Sequence, residues 1–217
     1  MKPLIIANWK CNPETLKEAQ ELFNGIKKDI ENKNVVICPP TIFLSSLICE
    51  GIKFGAQNCF SENKGAYTGE ISPQMIKSIG CEYVIIGHSE RRIIFNESNV
   101  DVSNKVIKAQ QSGLIPIVCI GESKDQNTFE IIEEQIKDID KDVLIAYEPL
   151  WAIGTGENAS IEKVKEVRDF LKERKVLYGG SVNSQNAKDY LEITDGLLIG
   201  GASLNNEEFL KIIKTAY

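Results

Sequence analysis

Along the chain, short runs that are apolar at nearly every position alternate with longer stretches in which apolar residues recur every third or fourth position. The runs are LIIA (4–7), VVIC (35–38), IKFGA (52–56), YVIIG (83–87), IPIVCI (115–120), VLIAY (143–147), KVLYG (175–179) and GLLIG (196–200). A strand with one wet face would alternate apolar with polar, so continuous runs predict strands buried on both faces. Between them, Leu16, Ala19, Phe23, Ile26 and Ile30 mark one face of a helix that Asn12 is placed to cap and Pro13 to begin. Similar spacing predicts helices over residues 100–111, 129–139, 161–172 and 209–213, with shorter ones in TIFLSSLICE and SPQMIKSIG.

Strands separated by helices suggest parallel pairing, because each parallel neighbour needs a crossover connection. A closed barrel of eight β/α units and an open doubly wound sheet both satisfy that pattern. A dinucleotide-binding open sheet carries G-x-G-x-x-G after its first strand, where this chain has ANWKCN. Its turn glycines gather late instead, in YGGS and IGGAS, where barrels often build a phosphate site. The barrel accounts for both facts. No linker, low-complexity tract or composition shift divides the chain, so one domain over residues 1–217 is expected.

Charge narrows the partners. A formal net charge of −6 argues against nonspecific binding to nucleic acid or to an anionic membrane surface, while leaving room for a local positive pocket. The start MKPLIIANWK breaks its apolar run too early for a signal peptide, and no run approaches a membrane span. A cytoplasmic protein is the expectation. Cys11, Cys38, Cys49, Cys59, Cys81 and Cys119 form no CxxC pair and the chain has one histidine, so free thiols and no metal site are expected.

In such a barrel the residues just past each strand converge on one face, which makes polar residues there candidates for chemistry. Asn8 and Lys10 follow the first run, His88, Ser89 and Glu90 the fourth, and Glu148 the sixth. Lys10, two residues beyond a buried strand, is placed to aim inward at an anion. His88 lies in IIGHSERR, where a helix could begin; the positive end of the helix dipole there opposes a second proton on the imidazole and leaves a neutral hydrogen-bond donor. Glu148 opens EPLWAIGTG, in which Pro149 stiffens the exit, Trp151 and Ile153 offer apolar cover, and Gly154 and Gly156 permit unusual backbone angles. That is the composition of a lid over a base. The late glycine turns can present backbone N–H groups to an anion without any net positive charge on the protein.

One carboxylate base, one neutral electrophile, one lysine and a phosphate cradle, with no cofactor motif, suit proton abstraction beside a carbonyl and stabilisation of the enediolate. Aldose–ketose isomerisation of a small sugar phosphate is the matching reaction class. The segments ANWK, GAQN, GAYTGE, IIGHSERR, CIGE, AYEPLWAIGTG, YGGSVN and GGASL, in this order, closely resemble the triosephosphate isomerase family along essentially the whole chain. The resemblance implies a (β/α)8 TIM barrel with a short outer helix layer and a triose phosphate substrate, interconverted between dihydroxyacetone phosphate and glyceraldehyde 3-phosphate without a cofactor. By the same resemblance Glu148 moves the proton between carbons, His88 polarises the carbonyl, Asn8 and Lys10 stabilise negative charge, and Glu90 pairs with Lys10. Gly154, Ser181, Gly200 and Gly201 hold the phosphate. The lid runs from Pro149 to about Ala159, closed by Tyr178 and Ser181, with Glu122 contacting Trp151 when it is open.

The resemblance further implies a homodimer in which Thr68 reaches the neighbouring site near Asn8 and Lys10, supported by Gln57, Asn58 and Glu70; short members of the family can form higher oligomers. The chain is roughly 30 residues shorter than a typical barrel of about 250. The shortening falls between Glu122 and Val143 and between Ser160 and Val176, away from the matched site residues, and Cys11 stands beside the site. Another phosphate-binding barrel, such as an isomerase acting on a ribosylated anthranilate, shares the late glycine cradle but has no need of the HSERR block or a glutamate-led lid. A barrel that had kept only a binding role predicts loss of Asn8, Lys10, His88 or Glu148, and all four are present.

Overall fold

A computed structural model describes residues 2–152 and 156–217. Eight parallel strands close into a barrel in chain order: β1 (Leu4–Asn8), β2 (Val35–Cys38), β3 (Lys53–Ala56), β4 (Tyr83–Ile86), β5 (Ile115–Ile120), β6 (Leu144–Tyr147), β7 (Val176–Tyr178) and β8 (Gly196–Ile199). Closure falls on β1, which pairs Ile5 with Val35 of β2 on one side and Leu4 with Gly196 of β8 on the other. Each apolar run of the sequence is a strand whose ends differ from the run by no more than one residue.

Two cores explain why the runs show no polar alternation. Successive strand side chains point to opposite faces. Ile6, Val36, Ile85, Ile117, Ala146 and Leu198 fill the barrel interior. Their neighbours Ile5, Ile37, Val84, Val118, Ile145 and Leu197 pack outward against helical residues such as Phe23, Val106, Ile132, Val167 and Phe209. Among the described residues no helix is long and apolar enough to cross a membrane.

The first helix departs from the sequence reading. It runs Leu16–Asn24 and is capped by Thr15, not begun at Pro13. The Thr15 hydroxyl accepts the Glu18 N–H at 3.2 Å while the Glu18 carboxylate accepts the Thr15 N–H at 3.0 Å. That reciprocal pair satisfies two otherwise unbonded donors and outcompetes a start at Asn12, which instead donates to the Trp9 carbonyl. The stripe through Ile30 also breaks at Gly25, where a Cβ would lie 1.9 Å from Asn206 Nδ2, and Lys27–Ile30 forms a separate short helix. In the two shortened intervals the outer layer is reduced to the helices Thr128–Ile136 and Ile161–Leu171.

Candidate active site

Strand alternation carries Asn8 and Glu148 inward, each two residues beyond an interior residue, Ile6 and Ala146. Both are buried, with Asn8 4% and Glu148 2% exposed. Glycine makes room for the carboxylate: a Cβ on Gly179 would lie 2.6 Å from Glu148 Cγ. His88 reaches the same place differently. Gly87 adopts a φ of +67°, and His88 then caps the helix Ser89–Ile94.

The two side chains meet, with His88 Nε2 3.3 Å from Glu148 Oε1. The tautomer follows from the other ring nitrogen, since His88 Nδ1 accepts the backbone N–H of Glu90 at 3.3 Å. A backbone N–H can only donate, so the ring proton resides on Nε2, facing the carboxylate and the cavity. The second carboxylate oxygen, Glu148 Oε2, accepts the Ser89 N–H at 3.5 Å. Lys10 enters from β1 with a left-handed φ of +54°, and its ammonium lies 2.7 Å from Glu90 Oε1. Asn8 Oδ1 accepts the Lys10 N–H at 3.1 Å.

Two neighbours that the sequence reading did not single out sit against the base. Burial pushes the Cys119 thiol well above its usual range, and the charge of Glu148 adds to that, so it stays protonated beside the carboxylate. Arg92 donates to the carbonyls of Gly87 (2.8 Å) and Cys119 (3.3 Å), tying the exits of β4 and β5 together. Burial lowers its pKa, and the charges of Glu97 and Glu148 oppose that shift. Farther out, Glu97 is buried between Arg91 and Lys105, and Lys105 also donates to Asn58 Oδ1 at 3.0 Å. The sequence reading passed over Glu97, although its partners Arg91 and Lys105 lie only six and eight residues away in the chain.

A hollow of about 230 Å³ lies over these groups. Asn8, Lys10, His88 and Glu148 line it together with Gly180, Ser181, Gly200 and Gly201. Of the expected phosphate-binding residues, Gly154 lies outside the described residues, together with Ile153 and Thr155. The described ends of the lid are tied down. Ser181 Oγ donates to the Ala152 carbonyl at 2.8 Å, and Tyr178 OH accepts the Ala159 N–H at 3.0 Å. Tyr190, stacked on Tyr178 with ring centroids 4.0 Å apart, donates to the Ala159 carbonyl at 2.6 Å. Glu122, which the resemblance pairs with Trp151 in an open lid, here accepts the hydroxyls of Thr128 and Tyr147. Lys124 lies 5.7 Å from the Trp151 ring centroid and 2.6 Å from Glu157.

A second hollow, of about 410 Å³, opens beside the first and shares Asn8, Lys10 and His88 with it. Gln57, Asn58, Glu70 and the exposed Cys11 line it, whereas Thr68 is exposed on its loop outside that lining. Gln57 donates to the Cys38 carbonyl at 2.8 Å.

Comparison with known proteins agrees with this geometry. The family model described as triosephosphate isomerase matches residues 3–216. A triosephosphate isomerase of Aquifex aeolicus (strain VF5) is 44% identical, over 98% of this chain and 99% of that protein. One of Alkaliphilus oremlandii (strain OhILAs) is also 44% identical, over 98% of each chain. One of Shewanella loihica (strain ATCC BAA-1088 / PV-4) is 42% identical, over 99% of this chain and 97% of that protein.

Proposed function

The chain belongs to the triosephosphate isomerase family, and from that premise we propose that Glu148 is the base that carries a proton between the two reacting carbons. The protein is an isomerase that interconverts dihydroxyacetone phosphate and D-glyceraldehyde 3-phosphate, in glycolysis and gluconeogenesis. The observation that carries the assignment is the 3.3 Å approach of His88 Nε2 to a carboxylate that is 2% exposed, beside Lys10 and the glycine turns.

Glu148 takes the proton from C1 of the ketose, which leaves an enediolate, and returns it to C2 to give the aldehyde. His88 donates its Nε2 proton toward the substrate carbonyl and relays protons between the two oxygens. The Lys10 ammonium and the Asn8 side-chain amide stabilise the negative charge that develops there, with Glu90 holding Lys10 in place. The phosphate rests on backbone N–H groups of Ser181, Gly200 and Gly201, with Gly154 added from the lid. An acidic protein can bind an anion this way because amide dipoles carry no net charge. The lid excludes water, so the enediolate does not shed its phosphate before the second proton transfer.

The mechanism separates from a hydride shift by isotope. Conversion of dihydroxyacetone phosphate in D2O should place carbon-bound deuterium in the product, since the proton on Glu148 exchanges with solvent. Product free of deuterium at every extent of reaction would rule out a carrier that exchanges with solvent and leave a hydride shift or a fully shielded transfer.

The working unit we assign is a homodimer of one-domain barrels in the cytoplasm. The second hollow, the exposed Thr68 and the exposed apolar residues in that hollow's lining, Ile71 (37% exposed) and Phe95 (61%), support a second copy seated there. Six free thiols, among them Cys59 pushed up to about 12 by burial, suit a reducing compartment. Thr68→Arg should give a monomer by analytical ultracentrifugation, with activity down about 10²-fold as the site loses its support. A fully active monomer would end the cross-subunit role.

A further inference from the structure

At the end of β5, where the barrel ladder gives out after Ile120, residues 120–122 carry the base and the start of the lid. Glu148 donates its N–H to the Ile120 carbonyl at 2.7 Å, and Leu150 donates to the Glu122 carbonyl at 2.9 Å. Between these two bonds, Gly121 is pressed against the peptide group of Glu148 itself. A Cβ on Gly121 would lie 2.0 Å from the Glu148 carbonyl oxygen and 2.5 Å from its carbon. No side chain fits there, so whatever moves Gly121 moves the backbone of the base.

Gly121 takes its own partners from the helix Thr128–Ile136. Its N–H donates to Gln135 Oε1 at 2.9 Å, and Gln135 Nε2 donates to its carbonyl at 3.0 Å. A primary amide offers a donor and an acceptor on one rigid plane, so the pair of bonds fixes both the position and the tilt of Gly121. The helix is a firm support: Ile132 is buried in the core, and Thr128 bonds the next residue, Glu122, at 3.1 Å.

We propose that Gln135 is a positioning residue for the isomerisation, holding Gly121 against the Glu148 peptide so that the carboxylate stays aligned with both reacting carbons. The inference deepens the assignment of Glu148 as the base and rests on it. Gln135 touches no reacting atom and acts only through the Gly121 backbone.

Steady-state kinetics of the whole enzyme test this, run beside Glu148→Gln. Gln135→Leu should lower kcat about 10-fold with KM within roughly twofold of wild type, because misalignment by a fraction of an ångström weakens proton transfer more than binding. Gln135→Glu supplies a readout that simple loss of packing would not move. Its carboxylate accepts the Gly121 N–H but faces the Gly121 carbonyl without a proton, whereas the protonated acid donates there again. Its kcat, as a ratio to wild type at the same pH, should therefore rise as pH falls. Wild-type kcat in Gln135→Leu, or a flat ratio for Gln135→Glu, overturns the proposal, and the Gln135→Glu profile decides alone should Gln135→Leu fail to fold. Full activity in Glu148→Gln would sink the base assignment instead. Collapse of Glu148→Gln with normal Gln135 variants leaves the base standing and removes Gln135.

Discussion

Glu148→Gln is expected to lower kcat by about 10³-fold, within the range typical of a lost general base, while KM for dihydroxyacetone phosphate changes little. The substitution is nearly isosteric. The amide oxygen can accept either the Ser89 N–H, now 3.5 Å from Oε2, or the His88 Nε2 proton, now 3.3 Å from Oε1, but not both, and the backbone bond to Ile120 is untouched. What disappears is the capacity to take a proton from carbon. Glu148 is 2% exposed and lies beside the neutral Cys119 thiol, and the site's other carboxylate, Glu90, is held by Lys10 at 2.7 Å. A coupled assay of triose phosphate conversion, with far-ultraviolet circular dichroism to confirm folding, measures the fall. Retention of more than a tenth of wild-type kcat would move the base elsewhere.

His88→Gln should cost about 10²-fold in kcat, the low end of what removing one electrophilic donor costs, and it should also change the pattern of isotope exchange. Glutamine can present an N–H near where His88 Nε2 now stands, so some polarisation survives. It cannot pass a proton from one substrate oxygen to the other. In the wild type, the Glu90 N–H on Nδ1 holds the ring with its single proton at Nε2, ready for that relay. The enediolate formed by Glu148 should therefore return to ketose more often in the variant, and in D2O deuterium should enter C1 of unreacted dihydroxyacetone phosphate faster than aldehyde appears. Exchange and conversion falling in equal proportion would remove the relay and leave His88 as an electrophile only.

The fold was legible because each strand announces itself locally. VVIC, YVIIG and IPIVCI are apolar throughout since one set of their side chains fills the barrel and the other meets the helices. Helix ends were less legible. The Thr15 and Glu18 capping pair is written in TLKE, yet a start at Pro13 is equally compatible with the pattern until the Asn12 side chain is seen bonded to Trp9. The break at Gly25 could not be read from periodicity at all, because Asn206, which crowds it, comes from the last helix.

Candidate chemistry was legible to the extent that it lies at strand ends. Asn8, Lys10, His88 and Glu148 stand within a few residues of an apolar run, and alternation or a glycine turn determines their direction. Apart from Glu90, Tyr178 and Ser181, which the resemblance supplied, residues that hold these groups in place were not legible. Gln135 lies 14 residues from Gly121, Tyr190 lies 31 from Ala159, and Lys105 lies 47 from Asn58. None has a spacing that distinguishes it from any other polar residue on a helix.

The sequence by itself determined the order of elements, their two buried faces and the reactive residue types at the strand ends, because backbone preference and burial act over a few neighbouring residues. Only the tertiary structure decided which polar atoms meet: the His88 tautomer, the Gln135 clasp on Gly121, and the Tyr178 and Tyr190 bonds to Ala159. Such hydrogen bonds join segments that become neighbours when the barrel closes, and a buried donor takes whichever acceptor closure brings within about 3 Å.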